Sequence, residues 1–415
     1  MSSIIRWILL SALSLCALVS SAQTNTNSPY SYFGLGSMET TVNGRTTGMG
    51  GVGIGMKSGS FINQLNPASY SGIDSLFFLF DVNIYGSSSR FESKQEGYNI
   101  LSGNLNKVAI GVRVSPRMAL SVGILPFSNV GYKINTEKLI GGTNDNFEIL
   151  TTGEGGLNKI YIGSSYKING HNSIGVNASV LFGTIKKTEE YTYSEFIHTR
   201  KVTEKTKSNP SFYFDFGYQY SNILNNNWNY TIGIIGGINT KMKFSKYISK
   251  ETDTTSIVTE ELMDTYNFWI PAYLGAGFSL NSNKWSFCAD YRYQKWSSVK
   301  QRNDMKWLTD SYNFAAGIEY TPNKRLGKNL FQRMSYQAGF HTERSYLKFN
   351  SVYLNGYGAS LGLGVPIRNQ QSSINISFEA GRKGNYSNDL FREKYYQVNL
   401  SINLKDIWFM KRKYN

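Results

Sequence analysis

The sequence predicts an all-β protein, a transmembrane antiparallel β-barrel of about 14 strands that encloses an N-terminal plug (hatch) segment. Three observations support this prediction. From Asp74 almost to the C-terminus, apolar and polar side chains alternate with a period of two. The connections between the alternating segments are short on one side and long on the other. The chain also opens with the pattern of an exported protein.

Residues 1–22 have the pattern of a secretory signal peptide. Arg6 supplies a positive charge, Trp7 to Val19 is mostly apolar, and the small residues Ser20 to Ala22 form a cleavage site. The apolar run is shorter than the roughly 20 residues that a membrane-spanning helix needs. Cys16 raises the alternative of a lipoprotein, but the residue before it is not the small one that lipidation requires.

Residues 23–72 are predicted to form the plug. The stretch from Gly44 to Tyr70 holds too many glycines for an ordinary helix or strand, yet its apolar side chains need an enclosed environment. It ends in a turn, because Pro67 blocks helix continuation and holds Asn66 extended. The plug residues singled out by this pattern are Gly48, Gly50, Gly51, Gly53, Asn66, Pro67 and Ala68.

Gly48, Gly50 and Gly53 also satisfy the G-x-G-x-x-G pattern of dinucleotide-binding loops. That pattern acts only between a buried strand and the start of a helix, and neither flank has that character here. We therefore expect no nucleotide cofactor.

Residues 73–415 are predicted to form the barrel. No amphipathic helix interrupts the alternating segments. Strands are expected near residues 75–86, 105–115, 118–127, 157–169, 172–186, 210–221, 227–241, 266–281, 284–296, 310–321, 332–345, 351–365, 372–382 and 394–404.

One face of each predicted strand is apolar, with aromatic residues at its ends, and the other face is small or polar. Phe212 and Phe216, for example, share a face opposite Asp215. This is the pattern of a barrel with lipid outside and a polar lumen. A soluble β-sandwich also alternates, but the connections favour the barrel.

Connections after the even-numbered strands are mostly short. Those after the odd-numbered strands are longer and polar, notably 87–104, 128–156, 187–209 and 242–265. In outer-membrane barrels the short turns are periplasmic and the long loops extracellular. An even number of strands places both chain ends on one side, so the sequence predicts periplasmic N- and C-termini in the outer membrane of a Gram-negative bacterium.

The composition gives little support for catalysis. After export Cys288 is the only cysteine, and the three histidines show no metal-ligand spacing. His341, the only histidine in a predicted strand, has no nucleophile–base arrangement around it. We expect a non-enzymatic protein without cofactor or metal. In an exported chain, the net charge of +15 indicates contact with membrane lipid phosphates or acidic partners rather than nucleic acid.

Charged residues on the predicted inward faces form a second candidate site. A charge enclosed between a barrel wall and a plug must pair or contact water. We expect a network of ion pairs and hydrogen bonds that fixes the plug; the alternative is a polar path for a solute. The residues are Arg113, Lys167, Asp215, Asp290, Arg292, Glu319, Glu379 and Arg382.

The segment from Tyr395 to Leu404 is expected to close the barrel against the first strand, because an open edge in lipid leaves backbone groups unsatisfied. Aromatic residues then fall at the periplasmic interface, and basic residues follow that could meet lipid phosphates or a partner. The alternative is a frayed basic tail. The residues of this C-terminal interface are Trp408, Phe409, Lys411, Arg412 and Lys413.

The glycine stretch at Gly48 to Gly53, the Asn66-Pro67-Ala68 turn and the following strands resemble the FadL-like family of outer-membrane proteins. The opening at Ser28 to Gly36 and the terminal Trp408 to Lys413 resemble the Bacteroidota branch. The resemblance covers essentially the mature chain and implies a hatch inside a fourteen-stranded barrel. It also implies two candidate roles, because some members take up fatty acids or aromatic hydrocarbons and related barrels serve protein-secretion or barrel-assembly machines.

Two function hypotheses follow. The first is a subunit of an outer-membrane protein export or barrel-assembly complex, with other envelope proteins as partners. The second is a hatch-gated passive channel for small hydrophobic molecules such as fatty acids. The polar character of Lys186 to Lys207 and of Lys250 to Asp264 favours the first, because a hydrophobic ligand needs an apolar groove for capture. A stand-alone structural or porin role is a further alternative.

Overall fold

The computed structural model is a closed barrel of antiparallel strands in which polar and apolar side chains alternate. The structure describes residues 28–39, 44–92, 97–139, 146–193, 198–225, 227–252, 260–299, 307–323, 329–349, 352–367, 372–385 and 391–407. The strands are β1 (Ser37–Met38), β2 (Phe77–Glu92), β3 (Gly97–Arg113), β4 (Met118–Leu139), β5 (Asn146–Lys167), β6 (Asn172–Tyr193), β7 (His198–Asn225), β8 (Trp228–Gly237), β9 (Thr240–Thr252), β10 (Glu260–Ile270), β11 (Tyr273–Ser282), β12 (Trp285–Gln294), β13 (Ser311–Tyr320), β14 (Ser335–Phe349), β15 (Val352–Ile367), β16 (Ser372–Lys383) and β17 (Arg392–Ile407).

These strands make fourteen wall strands, as predicted. β7 pairs with β8 in one half and with β9 in the other, so β8 and β9 are two parts of one wall strand. β10 and β11 are likewise two parts of one strand, paired with β9 and β8. β1 lies outside this count. The closing strand is confirmed, because β17 pairs with β16 and, from Arg392 opposite Glu92 to Ile407 opposite Phe77, with β2.

The two interrupted strands break side by side. One breaks at Ile238 and Asn239, and the other at Pro271 and Ala272. Pro271 has no N–H to donate to a ladder, and the Asn239 side chain accepts a hydrogen bond from the Ala272 N–H at 2.6 Å. The two strands are therefore interrupted at the same level of the barrel.

The predicted faces are confirmed. Phe212 is 73% exposed on the outside of β7, whereas Asp215 is 4% exposed on the inside. The same holds at the end of the chain, where Tyr396 and Val398 face outward and Asn399 is buried. The outside thus carries an apolar belt suited to lipid, and the inside a polar lining.

The long loops expected at 87–104, 128–156, 187–209 and 242–265 are a wrong prediction in their described parts, which are continuations of the strands. The ladder runs on to Leu139 opposite Asn146 and to Tyr193 opposite His198. Strands that extend beyond the belt have water on their outer side and lose the apolar alternation, so the sequence pattern stops before the strand does.

The seam between β3 and β4 is short. These strands pair only from Val108 to Arg113 against Ala119 to Ile124. Farther toward the long hairpins, β4 pairs instead with β1, where Ser37 lies opposite Asn129. The short strand β1 therefore pairs with the part of β4 that β3 leaves unpaired.

Helical structure is minor in the described ranges. It comprises the α-helix α1 (Leu330–Arg333) and the 3₁₀ turns Pro29–Tyr32, Thr47–Met49, Pro67–Gly72 and Trp296–Ser298. No described helix has the length and apolarity needed to cross a membrane.

Candidate functional site in the lumen

Residues 44–76, which we call the N-terminal segment, lie against the inward faces of the wall. The contact is close enough to exclude side chains from the wall. A Cβ atom on Gly217 would lie 2.1 Å from Asn66 Oδ1, and one on Gly175 would lie 2.4 Å from the Pro67 carbonyl carbon. Glycine inside a strand often marks such an approach by another backbone. β6 and β7 are thus shaped to receive the turn at Asn66.

Asn66 caps this turn and joins it to the rest of the lumen. Its Oδ1 accepts a hydrogen bond from the Ala68 N–H at 3.1 Å. Its Nδ2 donates to the carbonyl oxygens of Ile54 at 2.8 Å and Tyr218 at 3.3 Å. Pro67 begins the 3₁₀ turn, where its fixed φ is suitable and its missing N–H costs nothing. The Asn-Pro-Ala turn is therefore a buried structural joint.

The glycine stretch forms an anion-binding loop. Gly50 and Gly51 have φ values of 74° and 82°, which favour glycine. The Asp290 carboxylate on β12 accepts hydrogen bonds from the N–H groups of Gly53 at 2.5 Å and Ile54 at 2.8 Å. Successive N–H groups that converge on one oxygen form a concave site for negative charge. Asp290 thereby holds the loop to the wall.

A second contact fixes the same loop at β14 and β15. A Cβ on Gly339 would lie 2.0 Å from the Met49 carbonyl carbon, and one on Gly48 would lie 2.7 Å from the Gly362 Cα. Backbone therefore packs directly on backbone at β14 and β15, which explains why Gly48 carries no side chain.

A buried ion pair that the sequence analysis missed anchors the segment at β2 and β3. Lys107 Nζ lies 3.1 Å from Asp81 Oδ2, and their side chains are 1% and 0% exposed. Lys107 also donates to the Ile62 carbonyl oxygen at 3.0 Å and to Gln64 Oε1 at 3.3 Å. Asp81 Oδ2 accepts from the Ile62 N–H at 2.7 Å. Both charges lie at inward positions of their strands, so strict alternation could have found them.

Glu319 and Arg113, which the sequence analysis placed in the lumen, contact the N-terminal segment. Glu319 pairs with Arg45 at 3.2 Å and accepts from Gln337 Nε2 at 2.7 Å. Arg113 Nη1 donates to the Ile73 carbonyl oxygen at 3.0 Å. These contacts belong to the network expected to fix the segment.

Asp215 also lies in the lumen, but it joins wall strands to one another. It pairs with Lys159 at 3.0 Å and accepts from Tyr273 Oη at 2.8 Å. Lys167 lies on an inward position near the short-turn end of β5.

A cavity of about 290 Å³ remains between the N-terminal segment and residues 28–39. Arg292 and Glu379 line it, as do many hydroxyl and amide groups. Glu379 accepts a hydrogen bond from Tyr395 Oη at 2.9 Å. Lys383, also in the lining, lies 2.9 Å from Glu343. The cavity is therefore polar and charged.

Arg382 is not in the lumen, so this part of the predicted network is wrong. It lies opposite Tyr357 of β15, which is 51% exposed on the outside. Its neighbour in the prediction, Glu379, is an odd number of residues away, and such positions lie on opposite faces of a strand.

Residues 28–39 lie at the long-hairpin end of the barrel. The Ser28 N–H donates to the Gly131 carbonyl oxygen at 2.9 Å. Glu39 accepts from Asn129 Nδ2 at 2.7 Å, and burial raises the pKa of Glu39. Ile407 lies at the other end, with the short turns. The described chain thus begins at the long-hairpin end and ends at the short-turn end, while the two termini, which the sequence predicts to share one side, lie outside the described residues.

Several predicted residues fall outside the described ranges. They are the signal peptide at 1–22, the start of the predicted plug at 23–27, and the C-terminal interface residues Trp408, Phe409, Lys411, Arg412 and Lys413.

The described residues contain no group of three or more acidic, cysteine or histidine side chains placed to hold a metal. His341 Nε2 lies 3.3 Å from Tyr395 Oη and 3.8 Å from Glu379. This arrangement presents a tyrosine hydroxyl and a carboxylate to the lumen.

Comparisons with known proteins agree with the fold. The chain is similar to a Pseudomonas aeruginosa FadL homologue, with 13% identity, a TM-score of 0.60 and coverage of 90% of this chain and 99% of that one. It is similar to the Pseudomonas putida toluene transporter TodX at 13% identity and a TM-score of 0.58, covering 89% of this chain and 99% of that one. It is also similar to the monoaromatic hydrocarbon channel CymD, with 15% identity, a TM-score of 0.54 and coverage of 89% of this chain and 98% of that one.

No curated protein matches the chain. At these identities the solved structures establish a FadL-like outer-membrane barrel fold. The model of the BamG family matches residues 4–415, nearly the whole sequence. The chain therefore belongs to the BamG family.

Proposed function

We propose that the protein is a non-enzymatic subunit of an outer-membrane protein export or barrel-assembly complex. In this proposal it resides in the outer membrane of a Gram-negative bacterium. Its long hairpins face outward from the cell, Ile407 lies on the periplasmic side, and the N-terminal segment acts as a plug. The observation that carries the proposal is the state of the lumen. Buried charges lock the segment in place, and the space that remains is polar.

A polar, blocked lumen is poorly suited to hydrophobic solutes. Pockets for small apolar ligands are mostly lined by hydrophobic and aromatic side chains. Opening this lumen would break the hydrogen bonds of Lys107 and Asp81 to the Ile62 backbone, and a buried charge is costly when it loses hydrogen bonds. A stable plug is what a structural subunit needs.

The long hairpins supply a surface for a partner. Beyond the belt, β4, β5, β6, β7, β9 and β10 continue as one paired sheet. Its outer parts expose isolated large side chains, such as Leu139 at 69% and Leu262 at 59%. A continuous sheet that extends beyond the belt offers a partner the area that a stable interface needs.

Gentle detergent extraction and affinity purification, followed by mass spectrometry, test the proposal. We expect other envelope proteins at stoichiometric amounts. A variant with Leu139→Asp and Leu262→Asp should remain a heat-modifiable barrel but lose those proteins. Purification of the wild-type barrel alone, with bound lipid, would contradict the subunit role.

The second candidate is a passive channel for small hydrophobic molecules. One observation favours it. An apolar cluster lies on β9 and β10, next to the point where the two wall strands are interrupted. It includes Met242, Phe244, Phe268 and Ile270, each at most 1% exposed. The toluene transporter and the hydrocarbon channel have the same fold. Uptake of a radiolabelled fatty acid or toluene by cells with and without the protein would separate the two candidates.

A further inference from the structure

A row of cationic side chains crosses three neighbouring strands on the outside of the barrel. The register pairs Arg90 of β2 with Lys394 of β17, and Lys394 with Arg382 of β16. Directly opposed residues in antiparallel strands have Cβ atoms about 4.5–5.5 Å apart, and like charges at that distance destabilise the pair. The row therefore requires negative charge close by.

Among the described residues, Glu92 supplies a carboxylate to this row. Glu92 Oε1 lies 3.0 Å from Arg90 Nε and 3.1 Å from Lys394 Nζ. Glu92 Oε2 contacts the guanidinium of Arg392. Glu92 is thus already shared by three cations. Within the described part of the chain Arg382 forms no ion pair, whereas Arg90, Arg392 and Lys394 contact Glu92.

The row lies immediately beyond the apolar belt. Tyr396, 54% exposed, is two residues from Lys394 on the same face, and Tyr357, 51% exposed, lies opposite Arg382. Phe378 and Val398 continue the surface into the belt. Tyrosines at the rim of a membrane barrel mark the level where acyl chains end and headgroups begin. The molecules that cover the belt therefore present their headgroups to the row.

We propose that Arg90, Arg382 and Lys394 bind a phosphate group on the headgroup of an anionic lipid, in the leaflet at the long-hairpin end. A guanidinium offers parallel N–H groups that match two phosphate oxygens, and an ammonium adds a third donor. The lipid supplies the charge that Glu92 cannot provide alone. This site is separate from the lumen and does not depend on the proposed complex.

Native mass spectrometry of the detergent-purified barrel tests the proposal. Phosphatidic acid, which carries a phosphate monoester, should bind, and phosphatidylcholine should not. The variant with Arg90→Gln, Arg382→Gln and Lys394→Gln should bind phosphatidic acid roughly 100-fold more weakly, because each basic residue near an anionic surface contributes about a factor of five.

The matched control removes the same charge from the long hairpins, with Lys133→Gln, Lys138→Gln and Lys250→Gln. It should bind the lipid as the wild type does. Equal weakening by both triple variants would overturn the site, because general charge would then explain binding. Displacement of the lipid by equimolar inorganic phosphate would overturn the lipid assignment in favour of a free anion.

The single variant Arg382→Gln provides a test that does not disturb folding, since Arg382 has no ion pair to lose within the described ranges. It should remain heat-modifiable and show weaker lipid binding, by roughly fivefold on the same reasoning. Unchanged binding by this variant and by the triple variant would exclude the row as a lipid site.

Discussion

Lys107 of β3 lies 3.1 Å from Asp81 of β2, and neither side chain reaches solvent. The pair is a joint between the wall and the N-terminal segment, because both residues also bond the backbone of Ile62. Charges on two neighbouring strands thus hold a third piece of chain. The energetic consequence is that neither charge can be removed alone at low cost.

The first prediction concerns this joint. Lys107→Met should leave Asp81 buried without its cation, at a cost of about 3–5 kcal/mol. We expect the N-terminal segment to loosen, so that trypsin cleaves after Lys57 in the purified barrel. The double variant Lys107→Met with Asp81→Asn should recover much of the protection, because Asn still accepts from Ile62. If the single variant resists trypsin as the wild type does, the joint does not hold the segment.

The second prediction concerns the close backbone contact at β14. Gly339→Ala would place a Cβ 2.0 Å from the Met49 carbonyl carbon, so the loop must move. We expect increased protease sensitivity of the segment while the barrel stays heat-modifiable. The control is Gly170→Ala, where a Cβ would meet nothing within 4 Å. Identical digestion patterns for the two variants would argue against the observed packing.

The third prediction concerns the lipid-facing belt. Phe216 is 47% exposed on the outside of β7. Phe216→Arg should impair insertion, because arginine at the membrane midplane costs about 2–4 kcal/mol. Phe216→Leu should insert normally. The measurement is the folded fraction on unheated gels after assembly into vesicles, and similar fractions for both variants would refute this outward register.

The wall could be predicted from the sequence because lipid imposes a strict chemical rule on it. Inside the belt, every second side chain must be apolar, so fourteen alternating segments were visible. Beyond the rim of the belt the outer side chains face water, so this rule no longer applies. There β6 continues to Tyr193 and β7 begins at His198, in a stretch of mostly polar residues, and no sequence pattern separates such a strand from a loop.

The lumen was predicted less completely, for a different physical reason. Its residues are selected by contacts with a particular piece of chain, and such contacts have no period. Asp290 could be placed inside by alternation, but its bonds to Gly53 and Ile54 could not be foreseen. Arg382 lies on the outer face because it is three residues from the inward Glu379 on the same strand.

The fourth prediction concerns orientation. Leu139 lies at the end of β4, 69% exposed, and Gly170 lies in the short turn between β5 and β6. With the long hairpins outside the cell, Leu139→Cys should react with a membrane-impermeant maleimide in intact cells. Gly170→Cys should react only after the outer membrane is permeabilised. Background labelling should be low because Cys288 is buried. The reverse labelling pattern would invert the proposed orientation.

The fifth prediction concerns pH. Burial, reinforced by the nearby positive charges of Lys167 and Arg113, lowers the pKa of Lys57 from 10.5 to about 8. Between pH 8 and 10.5, Lys57 is therefore mostly neutral when the segment is docked and mostly protonated when the segment is released. Docking should strengthen as pH rises through this window and stay constant below it. A dye on Ser58→Cys should show rising anisotropy from pH 8 to 10.5. Lys57→Met removes the titrating group and the buried charge, so it should show the high-pH anisotropy already at pH 7.5. A pH response that persists in Lys57→Met would assign the titration to another group.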